Sequence, residues 1–405
     1  MRKNNEMLSE GAKQRFQHDT NLRKSAESAG EKIPKQVRDD GVVRVAVIGT
    51  VGVPACYGGF ESLVDNLLDF TPQNVEYTVF CSAKKYENRL ETYKGARLVY
   101  LEKDANGKDS ILYDFESMKL ASRAPINADI LLVLGVSGCI FLPYIRRIFK
   151  GKIITNIDGL EWRRDKWNFL AKKFLKLSER MAVRYSDVVI GDNKGITDYV
   201  KAEYNKDAVL IAYGGDQVSR VEDDSLFEKY PFCKNSYSVT VCRIEPENNI
   251  HVILEAFSKL PECALVVVGN WAKSDYGRAL KEKYSAFDNI HLLDPIYEPH
   301  TVNWLRSNAA LYIHGHSAGG TNPSLVEAMN LGLPVLAFDC VYNRATTEEK
   351  CMYWKNAEDL QSAVKEILGN LEKRDRIARD MKEAGKRLYS WQKIAELYNA
   401  LLGLS

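Results

Sequence analysis

Short β-branched runs alternating with helical stretches, arranged in two successive series, constrain this chain more than any other feature. Runs of this kind pair side by side as parallel strands, and the helical stretches between them serve as crossovers. The first series reads 45–48, 77–81, 98–101, 130–134, 152–156, 188–190 and 209–212, and the second reads 238–241, 265–268, 290–292, 311–313 and 334–337. Two series imply two Rossmann-like domains of the α/β class. A polar, acidic stretch from Asp216 to Glu228, leading into Pro231, marks the boundary. The expected division is a charged, weakly ordered extension over 1–40, a first domain over 41–215, a second over 216–390, and a terminal helix within 391–405 that Ser390 caps.

A chain of 405 residues has ample material for two cores. Its net charge of +2 gives no global reason to expect nucleic acid. The eight cysteines stand singly, without a Cys-x-x-Cys pair, which reads as reduced thiols in a reducing compartment and spells no zinc site. No signal peptide is visible, and no apolar run reaches the roughly 18 to 20 residues that span a bilayer. The expected location is the cytoplasm, with at most peripheral membrane contact.

The run from His316 to Met329 carries the chemistry. It sets the diglycine Gly319-Gly320 directly after the strand 311–313, and Asn322 can cap a helix whose first position is Pro323. The amides from Gly320 through Thr321 and Asn322 to Ser324 then form a cradle for an anion, for which a diphosphate is the natural guest. Glu327 falls one turn further on and can accept hydrogen bonds from the vicinal hydroxyls of a ribose. Phosphate plus ribose points to a nucleotide.

Other constellations admit two readings each. Gly58-Gly59 follows the first strand and opens an apolar-periodic helix, so it either brings backbone close to a phosphate or supplies dihedrals for a turn. Glu61 favours that helix's dipole. Asp158 and Glu161 follow the strand 152–156 at the edge where parallel sheets place ligands, and either serve acceptor hydroxyls or cap a loop. Asp192-Asn193 ends the strand 188–190 and suits helix capping. His316 is expected to donate a hydrogen bond to phosphate or sugar, the plainer reading being packing at a strand end. Metal binding by His314 and His316 lacks a third ligand at a suggestive spacing. The segments 144–150 and 162–176 mix basic and aromatic residues, as would a surface resting on anionic lipid or an ordinary amphipathic helix. A dinucleotide-dependent dehydrogenase is disfavoured, because the second strand ends in Phe80-Cys81-Ser82 without an acid for ribose and the glycines do not follow Gly-x-Gly-x-x-Gly.

The run 316–329 resembles the donor-binding half of family 4 glycosyltransferases of the GT-B fold. Gly49 to Glu61, Asn156 to Trp162 and Val241 to Asn249 are similar to the rhamnosyltransferase branch, and the likeness extends from about Val43 to the end of the chain. The resemblance implies two Rossmann-like domains facing across a cleft, with the terminal helix packing back on the first. It implies transfer of a sugar, L-rhamnose from dTDP-L-rhamnose, with retention, to a saccharide acceptor carried on a lipid, in surface polysaccharide synthesis. It assigns Arg243 to the diphosphate and Glu327 to ribose, sets Gly58, Gly59 and Asp158 about the reacting groups, and calls for no metal and no cofactor beyond the nucleotide-sugar substrate. Two positions depart from the family pattern. Gly319 stands where a first glutamate is usual, and the usual lysine falls near Asn248, leaving Lys194, His316 or Arg344 to assist Arg243. The alternatives are another donor of the UDP-glucose or UDP-GlcNAc type, a GT-B sugar-nucleotide epimerase, or a binding protein without turnover.

Overall fold

A computed structural model describes residues 21–29, 41–55, 58–164 and 167–403. The first domain holds an eight-stranded sheet in the order β3-β4-β2-β1-β5-β6-β7-β8. Its strands are β1 (Val43–Ile48), β2 (Val75–Ser82), β3 (Thr92–Tyr93), β4 (Ala96–Leu101), β5 (Ile130–Leu134), β6 (Lys152–Asn156), β7 (Val188–Gly191) and β8 (Val209–Leu210). Only β3 runs antiparallel to its neighbour. The second domain holds six parallel strands in the order β11-β10-β9-β12-β13-β14. These are β9 (Tyr237–Val241), β10 (Ala264–Val268), β11 (Ile290–Leu293), β12 (Leu311–His314), β13 (Val335–Phe338) and β14 (Met352–Trp354). Two strands escaped the sequence reading. Both β3 and β14 are short edge strands, for which period and length give little signal.

Strand periodicity divides the first core into two faces. Val45 and Val47 of β1, with Ile130, Leu132 and Leu134 of β5, pack on one side, while Ala46, Ile48, Leu131 and Val133 pack on the other. Burial on both faces is what a parallel sheet covered by helices requires, and it explains why these strands read as continuous apolar runs. Within the segment expected to be weakly ordered, residues 21–29 form a helix whose Ala26 is fully buried against the first of these faces. The rest of 1–40 lies outside the described residues.

The chain passes between the domains twice, and the crossings touch. Gly215 N donates to Tyr389 O at 2.8 Å, and Trp391 N donates to Asp216 Oδ1 at 2.8 Å. A side chain on Gly214 would meet the Trp391 indole at 2.4 Å. Beyond this staple, Ser390 caps the helix Trp391–Leu401. Trp391, Ile394, Leu397, Tyr398 and Leu401 complete one apolar face of the first sheet. Polar ties fix that helix too. Lys152 Nζ donates to Leu401 O at 2.5 Å, and Asn156 Nδ2 donates to Tyr398 Oη at 3.0 Å.

One buried acid in the first domain yields a pH prediction. Asp114 is 3% exposed; its Oδ2 accepts from Gly138 N at 2.9 Å, and its Oδ1 has no partner. Burial pushes its carboxyl up to about 8, while Tyr113 and Cys139 beside it stay neutral through burial. The unfolded chain releases this proton at about pH 4 and the folded chain retains it, so stability falls as pH rises from about 4 and levels off above about 8. Melting curves of Asp114→Asn should lack this part of the decline; an unchanged pH slope would remove Asp114 as its cause.

Candidate functional site

The carboxyl ends of β6 and β7 meet the glycine turn after β12, and the candidate site lies at this junction. After β6, Asn156 Oδ1 accepts from Asp158 N at 3.0 Å, and Asp158 turns with a φ of +58°. This brings Gly159 against the second domain. A Cβ there would lie 2.4 Å from Gly319 Cα, so only glycine permits the approach. After β7, the capping role expected of Asp192 and Asn193 together falls to Asn193 alone. Asn193 caps the helix Lys194–Tyr204, accepting from Gly195 N at 2.9 Å. Asn193 also reaches across the cleft, donating to Tyr342 O at 3.2 Å and Thr346 Oγ1 at 3.1 Å.

Asp192 reaches across instead of capping. Its Oδ2 accepts from Thr321 N at 3.1 Å, its carbonyl accepts from Thr321 Oγ1 at 2.6 Å, and its buried Oδ1 has no partner. A Cβ on Gly320 would fall 1.7 Å from that Oδ1. The carboxyl thus fills the space above the glycine turn and engages one amide of the expected anion cradle. Burial and the neighbouring Asp158 hold Asp192 well above the ordinary carboxylate range. Asp158 is likewise raised by burial, against the opposing effect of Arg164. Ser324 N is engaged as well, donating to Asn322 Oδ1 at 3.0 Å as the cap of the helix Pro323–Leu331.

His316 departs from its expected donor role. Asn248 Nδ2 donates to Arg243 O at 2.7 Å, which turns Asn248 Oδ1 toward His316 Nδ1 at 2.8 Å. Nδ1 must therefore carry the proton. Burial, with His314, Arg164 and Arg243 nearby, holds the ring well below the usual histidine range. Its Nε2, which faces the Gly319 Cβ position at 3.4 Å, presents a lone pair and accepts. The same pairs dispose of Asn248 as a substitute for lysine, because its amide is spent within the second domain.

Arg243 is 36% exposed, its Nη1 3.6 Å from Glu245 Oε2. The other proposed cations face elsewhere. Lys194 pairs with Asp198 at 2.6 Å on an exposed helix surface, and Arg344 pairs with Asp339 at 2.5 Å and lies over the Tyr353 ring. Glu327 is engaged on both oxygens. Oε2 meets Arg306 Nη2 at 2.6 Å, and Oε1 accepts from Gln217 Nε2 at 2.7 Å. Each oxygen keeps a further lone pair for a hydroxyl, but replacing Glu327 also strips Arg306, whose side chain is 5% exposed, of its counter-charge.

On the first-domain side, Gly58 is exposed with a φ of +142°, and Gly59 starts the helix Gly59–Leu68. Glu61 does not serve the dipole alone. It folds back so that Oε1 accepts from Thr50 Oγ1 at 2.9 Å and Val51 N at 2.7 Å, pinning the loop after β1. Two further residues join the site unannounced. Tyr213 Oη lies 3.4 Å from the Gly59 Cβ position, and its buried ring shares its surroundings with Asp158 and Asp192. Arg164 is buried with its Nη1 2.8 Å from Glu161 Oε1, and its Nη2 is 4.0 Å from the Gly319 Cβ position. Tyr213 follows a strand without any motif, and Arg164 was hidden in a basic run that reads as surface.

The junction therefore gathers Asp158, His316, Gly320, Thr321 and, through Tyr213, Gly59, with Arg243 alongside. Among the described residues, no cluster of His, Cys, Asp and Glu could hold a metal ion. None of their helices is long and apolar enough to cross a membrane.

Residues 222–387 match the family described as glycosyl transferases group 1. The second domain belongs to that family. Residues 42–216, which precede this glycosyl transferase domain, match a domain of unknown function, DUF1972. No curated protein matches the chain. Among solved structures, the fold is similar to a sucrose-phosphate synthase from Thermosynechococcus elongatus, with a TM-score of 0.76 and 17% identity over 90% of this chain and 100% of that one. It is also similar to HepE of Anabaena in complex with UDP-glucose, with a TM-score of 0.70 and 13% identity over 89% of this chain and 100% of that one. A putative UDP-N-acetylglucosamine 2-epimerase from Listeria monocytogenes aligns with a TM-score of 0.58 and 16% identity over 87% of this chain and 94% of that one. These likenesses place the glycosyl transferase domain in a GT-B fold.

Proposed function

We propose that the chain transfers a sugar from a nucleotide-activated donor, L-rhamnose from dTDP-L-rhamnose, to a saccharide acceptor carried on a lipid, with retention, in the synthesis of surface polysaccharide. The observation that carries the transferase reading is the meeting of the glycine turn 319–321 with Gly159 and Asp192 of the opposite domain. A turn of this kind before a capped helix suits a diphosphate, and the facing carboxyls suit sugar hydroxyls. HepE, similar in fold, was crystallised with UDP-glucose, which supports a nucleotide-sugar donor. The rhamnosyl assignment rests on the sequence motifs.

In this reading the bond between the anomeric carbon and the diphosphate oxygen breaks, and the electron pair leaves with the diphosphate. The acceptor oxygen bonds the same face of the sugar and gives its proton to the departing oxygen. Protein groups then need only balance the growing phosphate charge. Arg243 and the amides of Gly320, Thr321 and Asn322 do this, the Gly58-Gly59 loop approaches from the first domain, and Glu327 holds ribose. His316 accepts a donor-sugar hydroxyl at Nε2, and Asp158 orients the acceptor. Because Asp192 occupies Thr321 N, the donor displaces this carboxyl as the domains open and reclose.

A panel of nucleotide sugars, assayed for nucleoside diphosphate release with and without lipid-linked acceptor, tests the assignment. Release from dTDP-L-rhamnose that depends on acceptor is the expected result. Conversion of a free nucleotide sugar without acceptor would establish the epimerase reading, which the likeness to the Listeria protein favours.

Access to lipid-linked acceptor would come through the helix Phe169–Tyr185, at the cytoplasmic face of the membrane. Phe169, Leu170 and Leu177 are 68%, 75% and 48% exposed. Beside them, Lys173, Lys176, Arg180, Arg184 and Lys206 line a groove of about 800 Å³. Two members of the surface expected from sequence have other duties. Arg164 enters the cleft, and Arg146 is bound to Tyr185 O at 2.7 Å and Asp187 at 2.5 Å. Anionic vesicles should therefore retain the protein at low salt and release it at high salt, and joint replacement of Lys173, Arg180 and Arg184 by alanine should abolish retention. Equal retention of variant and parent in a flotation assay would reduce this surface to a solvated helix.

A further inference from the structure

None of the groups expected to assist Arg243 at the phosphate site is placed to act as its second cation. Asn248 stands near the place of the usual lysine and spends its amide on Arg243 O and His316. Lys194 and Arg344 pair with acids elsewhere, and His316 presents a lone pair. A departing diphosphate gains charge as its bond to the sugar breaks, and a single half-exposed arginine is a weak counterweight to it. A second fixed cation should therefore lie within reach of the glycine turn.

The buried guanidinium that meets this requirement belongs to the other domain. Arg164 has a side chain only 10% exposed, and its Nη2 reaches to 4.0 Å from the Cβ position of Gly319. Its direction is fixed by Glu161, whose Oε1 lies 2.8 Å from Nη1 and whose Oε2 accepts from Trp167 Nε1 at 3.1 Å. Glu245 and Glu247 of the second domain lie within its electrostatic reach, as does Asp158. Burying an arginine in this way is costly unless it has partners, and its planar fork is suited to phosphate oxygens.

We propose that Arg164 of the first domain is the second cation on the donor's diphosphate, so that domain closure completes the phosphate site. The inference rests on the transferase reading above. It makes part of the charge stabilisation conditional on closure: while the domains are apart, Arg164 is withdrawn from the phosphates, and loss of the sugar to water is suppressed. Arg164 touches the leaving group and moves no proton.

The test measures the binding of dTDP and of UDP by calorimetry in the parent, Arg243→Ala, Arg164→Gln, Arg164→Lys and the double variant Glu161→Gln/Arg164→Gln. The double variant replaces the ion pair by two neutral amides, so it folds even where Arg164→Gln, which takes the guanidinium away from Glu161, does not. The expected result is a loss of affinity for the preferred nucleotide of roughly ten- to hundredfold in the double variant, the range for a charge-assisted hydrogen bond. Arg164→Lys should recover part of it. Unaltered affinity in a folded double variant, with Arg243→Ala weakened, would overturn the role of Arg164 and leave the donor site standing. A parent that binds neither nucleotide would overturn the donor-site reading and this inference with it.

Discussion

Replacement of Arg243 by alanine should lower turnover on the order of a hundredfold while leaving the melting temperature nearly unchanged. The magnitude is that of removing one fixed donor from a developing anion. Stability should hold because the side chain is 36% exposed and its acid partner stands 3.6 Å away, a pair of little worth in solvent. The fold of this segment is maintained by the Arg243 carbonyl, which accepts from Asn248 and survives the substitution. Steady-state kinetics and a thermal melt of the same preparation decide the matter. An unfolded variant would make Arg243 a structural residue, and a folded, fully active one would remove it from the phosphate site.

Gly320→Ala should separate the domains without unfolding either. The new methyl would lie 1.7 Å from Asp192 Oδ1 and 2.3 Å from its Cγ, and Asp192 is 1% exposed and tied to Thr321 N. Overpacking of this kind costs about 1 to 3 kcal/mol, which displaces the closed arrangement by about five- to 150-fold. Turnover should fall by a similar factor, and small-angle scattering should show a larger radius of gyration. Adding Asp192→Gly removes the obstructing carboxyl and should restore the compact form. Gly159→Ala offers no such remedy, since its methyl would strike Gly319 Cα at 2.4 Å. A compact Gly320→Ala protein would show that the contact yields freely.

Regular elements were legible because parallel strands buried on both faces leave long apolar runs, and β5 and β6 lie where those runs stand. Asn322 and Pro323 announced their helix because a cap and a first-turn proline act locally. What escaped depends on distant partners. The tautomer of His316 is set by Asn248, 68 positions away, which is in turn held by a backbone carbonyl. Arg164 and Arg163 are adjacent in sequence, yet one enters the cleft and the other stacks on Trp162 and Tyr199. A basic run carries no mark of that division. Glu61 was likewise ambiguous, since an acid in a first helical turn satisfies the dipole whether or not it also pins a loop.

The helix Trp391–Leu401 also bears on how the chain matures. On the ribosome, the residues of the first sheet emerge long before the segment that covers one of its faces, and the whole second domain is made in between. Val45, Val47, Leu132, Leu134 and Ile154 would wait on a surface covered only in part, by the helix Gly59–Leu68, for Trp391, Ile394 and Leu401 to arrive. A nascent chain in that condition is a substrate for chaperones and vulnerable to aggregation. The second domain, whose core draws on residues 230–389 alone among its fully buried members, can close on its own first. The order of maturation would then run opposite to the order of synthesis, with the domain translated first being the last to finish folding.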